Sequence, residues 1–263
     1  MLEKKLEIII SSCEKYSDLW SLHLMHLERF WKNRKIKTVI VTDHPHEIKN
    51  ENILVFSAGE GLEMPQRLKY ALYNIETEYV LLTLDDYFLI KEVDSKKIER
   101  LIEIMDKENL DYVRMFSIPK EKKKISGYKE MYWIDLTRNY GVNLYPGIWR
   151  TSALKETFRN EYNAWNYEVS LTEIAREMKM KCAMSRGNEF LFIDVIRKGL
   201  ILRKAARYLK KNNFSLKRKK VPIKEEIKLH LMFWSKKYLP RCVQRIVKKI
   251  MIKYGMKFFS EGI

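Results

Sequence analysis

The 263 residues are 46% hydrophobic and 12% aromatic, enough apolar surface for a full core, which excludes a disordered chain and points to one α/β domain with an appendage. The formal net charge of +17 would favour a polyanionic partner if it were evenly spread, but residues 197–263 hold 21 Lys and Arg against 3 Glu, and the preceding residues are close to neutral. Cys13, Cys182 and Cys242 are far apart and lack C-x-x-C spacing, which argues against a disulfide framework or a zinc site and fits a reducing compartment.

Leu6–Ser12 reads as a buried strand that delivers Ser11 and Ser12 to a sheet edge. Its Ile8-Ile9-Ile10 run is too short for a signal or a membrane span, so a cytoplasmic location is expected. A helix follows, with Ser17 as N-cap and Leu19, Leu22, His23, His26, Leu27 and Phe30 on one face up to Trp31. The two histidines have no third ligand at metal spacing and read as core or edge residues. Strands are predicted at Lys37–Thr42, ending on Asp43, and at Ile53–Phe56, with a helix opened by Pro65 after them. The strand Tyr79–Leu84 stops at Asp85-Asp86, and a helix at Ser95–Asp106 precedes a strand at Tyr112–Ile118. Four β-α alternations of this kind predict a mainly parallel sheet flanked by helices. From Glu121 the rhythm is lost among lysines, aromatics and glycines, with Pro146-Gly147 read as a turn feeding a helix, as expected of a substrate-facing part built on loops and short strands.

Two adjacent carboxylates at the end of an apolar strand are costly to hold together without a cation. Mn²⁺ or Mg²⁺, which takes one or two carboxylates together with phosphate oxygens, would meet that demand. A turn or a helix N-cap pair is the competing reading of Asp85-Asp86.

An ordered set of segments accompanies the acidic pair: Ile8-Ile9-Ile10-Ser11-Ser12 with Tyr16-Ser17-Asp18 and Trp20, then Arg67-Leu68, Leu84-Asp85-Asp86-Tyr87-Phe88, Tyr145-Pro146-Gly147-Ile148-Trp149 and Trp165-Asn166-Tyr167-Glu168. Over roughly residues 6–195 this set resembles GT-A glycosyltransferases found among bacterial surface-polysaccharide enzymes. The resemblance implies an α/β GT-A (Rossmann-like) fold, with a catalytic domain at 1–196 divided into a nucleotide-sugar-binding half (1–118) and an acceptor-facing half (119–196). It implies hexosyl transfer from a UDP-sugar to a saccharide acceptor, lipid-linked, with inversion at the anomeric carbon. Ser11 and Tyr16 would form a uracil pocket, Asp43 would meet the base or ribose, and Arg67 would reach the diphosphate. Asp85 would serve donor and metal, Asp86 the metal, Glu168 would be the general base, and Trp149 and Trp165 would line the acceptor. Tyr87 stands where a D-x-D pattern has its second Asp, so either the adjacent pair or one Asp with phosphate and water would hold the ion.

Residues 197–263 lie outside this resemblance and read as a basic helical appendage. After Pro240, Val243, Ile246, Val247, Ile250 and Tyr254 form a helical stripe opposite Arg241, Arg245, Lys248 and Lys249, with Phe258 and Phe259 at its end. That is the composition of an interfacial helix on anionic lipid, extended by Leu231, Phe233 and Trp234, and it predicts a peripheral position on the inner face of the plasma membrane. The alternative is that the stripe packs on the body. A nucleic-acid-binding protein using the basic region, or a non-catalytic scaffold, are the competing functions. No nucleic acid is expected as partner, because an unneutralised acidic pair would repel phosphates.

Overall fold

The computed structural model describes residues 2–32, 34–159 and 163–239, and beyond them 243, 246, 247, 249 and 250. One helical turn, α1 (Leu2–Lys5), leads into β1 (Leu6–Ser11). Leu6, Ile8, Ile9 and Ile10 are at most 1% exposed, each contributing roughly 1.5–3 kcal/mol by burial. Alternate side chains of β1 serve opposite faces: Leu6, Ile8 and Ile10 join one core and Ile9 the other. The chain then enters a 3-10 turn, Glu14–Leu19, and α2, Trp20–Phe30. Ser17 therefore lies inside the 3-10 turn rather than at a helix N-cap.

β2 (Thr38–Thr42) and β3 (Ile53–Ser57) precede α3 (Met64–Leu72), whose first turn contains Pro65 and is closed by a capping box between Glu63 and Gln66. β4 (Tyr79–Leu84) and the short β5 (Tyr87–Leu89) flank the acidic pair. α4 (Ser95–Glu108) outruns its predicted end because Asn109 supplies a left-handed cap at φ 52°.

β6 comprises only Tyr112–Arg114, where a strand to Ile118 is predicted. The reason is Arg114. Its guanidinium turns inward, fully buried, and donates to the carbonyls of Phe116 (2.9 Å), Gly141 (2.6 Å) and Pro119 (2.6 Å), with Glu121 at 3.4 Å. The following backbone wraps this buried cation instead of extending the strand.

β7 (Met131–Trp133), β8 (Gly147–Arg150), α5 (Thr151–Glu156), α6 (Ala164–Glu177) and β9 (Cys182–Ser185) complete the central layers. The eight-stranded sheet has the order β3-β2-β1-β4-β8-β6-β9-β7. β8 and β7 run antiparallel to their neighbours, and the other six strands share one direction. Helices α2 and α4 cover one face, and α3, α5 and α6 the other. This is the mainly parallel sheet flanked by helices that a Rossmann-like GT-A fold requires.

Two expectations are corrected here. Pro146-Gly147 starts a central strand: a Cβ at residue 147 would lie 2.6 Å from the Tyr112 ring, so only glycine allows this approach. Trp149 in that strand is 1% exposed and packs on Tyr112 with ring centroids 4.2 Å apart. It is a core residue and does not line an acceptor site.

The second correction concerns the boundary at residue 196. β10 (Phe192–Asp194) pairs with β5, and β11 (Ile196–Arg197) forms a hairpin with β12 (Leu200–Ile201), so the boundary cuts through a hairpin. α7 (Arg203–Lys211) then buries Ala205 and Leu209 with Leu19 of the 3-10 turn and Phe88 of β5. The basic segment up to Val221 thus shares a core with the body. α8 (Ile223–Tyr238) follows. Of the stripe predicted after Pro240, Arg241, Arg245, Lys248, Tyr254, Phe258 and Phe259 lie outside the described residues.

Candidate functional site

In the strand order, β1 has β2 on one side and β4 on the other, with all three parallel. Their carboxyl ends therefore open a crevice at a topological switch point, the place where open α/β sheets bind ligands. Ser12 and Asp85, the residues that follow β1 and β4, meet in that crevice. Ser12 Oγ donates to Asp85 Oδ2, and Trp20 Nε1 donates to Ser12 Oγ at 2.7 Å. His23 Nδ1 lies 3.0 Å from the Asp85 carbonyl. Burial lowers the His23 pKa to about 4, so the ring is neutral at physiological pH and must carry its proton on Nδ1 to donate to that carbonyl. Ser11 sits one residue deeper, buried within β1.

The loops after β1 and β2 form one wall. Asp43 accepts from the Glu14 backbone N–H at 2.6 Å and from the Thr42 hydroxyl at 3.1 Å. Burial opposes its ionisation, but these bonds and the nearby Arg67 hold its pKa below the ordinary value. Arg67 donates to the carbonyls of Leu62 and Ser12, the latter at 3.2 Å, and its Nε is enclosed without a partner. Tyr16 is half-buried, with the Arg218 guanidinium 4.8 Å from its ring centroid.

Arg218 was not among the sequence-predicted site residues, because 200 positions separate it from its main partner. It pairs with Asp18 through both carboxylate oxygens and donates to the Lys15 carbonyl at 2.8 Å. Its charge also favours ionisation of Asp85. A backbone bridge between Ile201 and Lys220 holds this segment in place.

Asp194 is a second residue that sequence reasoning missed. It ends β10 in register with Tyr87, and the Val195 N–H donates to the Asp86 carbonyl at 2.9 Å. Asp86 Oδ1 and Asp194 Oδ1 are both enclosed without a hydrogen-bond partner. Burial pushes the Asp85 and Asp194 carboxyls up to about 7. Asp86 is raised well above its ordinary value, by burial first and then by the charges of Asp194 and Asp85. A lone Asp in a short strand carries no motif, so only the strand pairing reveals it.

Orphaned carboxylate oxygens fit a hard cation, which favours oxygen ligands. Among the described residues, no three His, Cys, Asp or Glu side chains are grouped to cage a metal by themselves. The donor set suits an ion that takes most of its ligands from phosphate and water.

The opposite wall comes from α6. Asn163 caps this helix by accepting from Asn166 N at 2.9 Å, which places Glu168 beyond its first turn. The negative charge of Glu168 acts on the phenols of Tyr145, Tyr140 and Tyr87, all raised first by burial. Tyr145 also feels Asp194, so the α6 wall and the acidic crevice share one aromatic floor. In it, Tyr87 and Tyr145 are stacked at 5.9 Å, and Phe192 lies 4.5 Å from Tyr87. Trp165 is 42% exposed, with the Arg197 guanidinium 5.7 Å from its ring. The crevice thus gathers Ser12, Asp85, Asp86 and Asp194, with Tyr16, Asp43 and Arg67 on one side and Glu168 and Trp165 on the other. A surface hollow lined by Ile75, Glu78, Arg150 and Lys155 lies at the amino end of β4 and contains none of them.

The raised carboxyls imply a pH signature. Unfolded Asp titrates near about 3.9 and the native groups higher, so the stability they contribute is complete below about pH 4 and lost as pH rises through about 7. His23, lowered in the fold, works in the opposite sense between about pH 4 and about 6.5. Above about pH 6.5 the carboxyls dominate. The melting temperature of the protein is therefore expected to fall between about pH 6.5 and about 8. A melting temperature that rises over this interval would show that the acidic cluster is already compensated.

No protein-family model matches the chain, and no curated protein matches it. Among solved structures, S. aureus TarS 1-349 in complex with UDP is similar with a TM-score of 0.51 at 15% identity, over 71% of this chain and 59% of that one. The same TarS segment in complex with UDP-GlcNAc is similar with a TM-score of 0.51 at 15% identity, over 74% of this chain and 59% of that one. The chain therefore spans about three fifths of the length of these TarS chains. The likeness is one of fold.

Proposed function

We propose that the chain is a glycosyltransferase that moves a hexosyl group from a UDP-sugar to a saccharide acceptor in bacterial surface-polysaccharide synthesis. The observation that carries this reading is the Asp85-Asp86-Asp194 cluster at the β1/β4 switch point, where two enclosed carboxylate oxygens lack partners. An acidic crevice of this kind takes a cation and, through it, a diphosphate. The fold is shared with TarS structures that contain UDP and UDP-GlcNAc, which favours a uridine nucleotide as the donor moiety.

In this reading Asp85 and Asp86 hold Mg²⁺ or Mn²⁺, which when bound supplies the positive charge that a departing diphosphate needs. Tyr16 and Asp43 meet the base and ribose, with Ser11 shaping the end of β1. Arg67, whose Nε is enclosed without a partner, would meet the diphosphate oxygens. Glu168, on the far wall, takes the proton of the acceptor hydroxyl as that oxygen attacks the anomeric carbon from the side opposite the diphosphate, so the configuration inverts. Trp165 offers an exposed aromatic face to the acceptor sugar. The acceptor is a saccharide carried on lipid, which places the reaction at the cytoplasmic side of the plasma membrane.

A thermal-shift panel of nucleoside diphosphates and nucleotide sugars, with and without Mn²⁺, tests the donor reading. UDP or a UDP-sugar with Mn²⁺ is expected to raise the melting temperature more than other nucleotides, equivalent to about 2.7 kcal/mol at one hundred times Kd. Stabilisation by an oligonucleotide and by no nucleoside diphosphate would overturn it in favour of nucleic-acid binding.

A further inference from the structure

α8 leaves a row of large apolar side chains uncovered. Ile223, Ile227, Leu231, Trp234 and Tyr238 are each 49–59% exposed. At about 100° per residue these five fall within an arc of about 80° on one side of the helix. The helix is tied to the body near its start: Val221 is buried, and Glu226 accepts from Lys204 N at 3.2 Å with Arg203 3.7 Å away. Further on, Ile246 and Ile250 are 57% and 51% exposed. An apolar row of this length on one helix face marks an interaction surface rather than scattered exposed residues.

Charge identifies the occupant. Lys224 and Lys228 border the row on one side, Glu225 falls on the opposite face, and residues 197–263 as a whole carry 21 Lys and Arg against 3 Glu. Two copies joined through this face would bring two strongly basic segments together, and their repulsion opposes a dimer. An anionic lipid surface accepts both features, taking the apolar row into the acyl boundary and the lysines at the headgroups. Trp234 and Tyr238, whose rings lie 6.0 Å apart, are the residue types that settle at such an interface.

We propose that the exposed row of α8 is a docking face for an anionic membrane surface. Val221 and Arg218 connect this face to the crevice: Ile223 follows Arg218 by five residues, a span of at most about 18 Å, and Arg218 is fastened over Tyr16 and Asp18. Docking through α8 therefore holds the crevice close to the bilayer, where a lipid-carried acceptor resides. The docking itself does not rest on the sugar-transfer reading, and only its use for the acceptor does.

The test is co-sedimentation of the full chain with phosphatidylglycerol/phosphatidylcholine vesicles and with pure phosphatidylcholine vesicles. Size-exclusion chromatography and the UDP thermal shift are run on the same samples. The expected result is binding to the anionic vesicles that weakens with salt, and at least about a tenfold loss of binding in the double variant Ile227→Glu, Trp234→Glu. The melting temperature and UDP response of that variant should remain those of the wild type, and Ile227→Ser, Trp234→Ser should lose binding in the same direction. Equal vesicle binding by wild type and both variants would overturn the assignment to α8. Indifference of the wild type to vesicles, with a dimer that the double variant dissociates, would make the row a self-association face. A lost UDP response with vesicle binding retained would count against the donor site alone.

Discussion

Asp86→Asn is expected to abolish sugar transfer while making the ligand-free protein more stable. Asp86 has an enclosed, unpartnered Oδ1, and burial first, then the charges of Asp194 and Asp85, raise its pKa. An amide is nearly isosteric and uncharged, so it relieves the repulsion from the neighbouring carboxylates. In the proposed reading the same change would remove a ligand for the cation that offsets the charge of the departing diphosphate. Loss of several kcal/mol of charge stabilisation corresponds to a drop of about a thousandfold or more in rate. The checks are the melting temperature without ligand, Mn²⁺ affinity in the presence of UDP, and turnover. Full activity in the Asn variant would remove the metal role from Asp86, and an unfolded variant would show that the carboxylate is structural.

Glu168→Gln is expected to leave donor binding intact and lower turnover by roughly two to four orders of magnitude, the usual contribution of a positioned general base. Glu168 sits on α6 across the aromatic floor from the acidic cluster, and its charge reaches Tyr87, Tyr140 and Tyr145. The substitution keeps the size of the side chain and removes its capacity to take a proton. The informative readout is therefore a fall in kcat with an unchanged UDP-sugar thermal shift. Loss of affinity at constant kcat would make Glu168 a binding residue, and a near-normal rate would leave it as an ordinary helix charge.

Local pattern carried most of the first 118 residues. Apolar runs of five or six residues at Leu6, Thr38 and Tyr79 could only be buried strands, and Tyr79–Leu84 forms with its predicted ends. The acidic pair was legible because two carboxylates after such a run defy the usual preference for burying apolar groups. Boundaries failed where a distant partner intervened. Arg114 ended β6 early because carbonyls at 119 and 141 capture its guanidinium. Pro146-Gly147 was read as a turn, yet Gly147 is needed for a close approach to Tyr112, a contact that no local signal encodes.

The site divides in the same way. Asp85, Asp86 and Glu168 stand in short local patterns, and Trp165 shares its segment with Glu168. Trp149 has an equally suggestive neighbourhood and is core, because a tryptophan in a central strand and one on an exposed helix turn are indistinguishable until the sheet order is known. Asp194 and Arg218 lie outside every motif and are brought in by strand pairing and by a packed C-terminal segment.

By itself the sequence determined the strand and helix types of the amino-terminal half, the acidic strand end and the concentration of positive charge after residue 196, since each depends on spacing and composition within a few residues. Only the tertiary structure decided that β1 and β4 are neighbours, that Asp194 and Arg218 join the crevice, and that the basic segment begins as part of the body. Those outcomes rest on contacts between residues tens to hundreds of positions apart. The free energy of such contacts comes from shared burial and charge, which no local window contains.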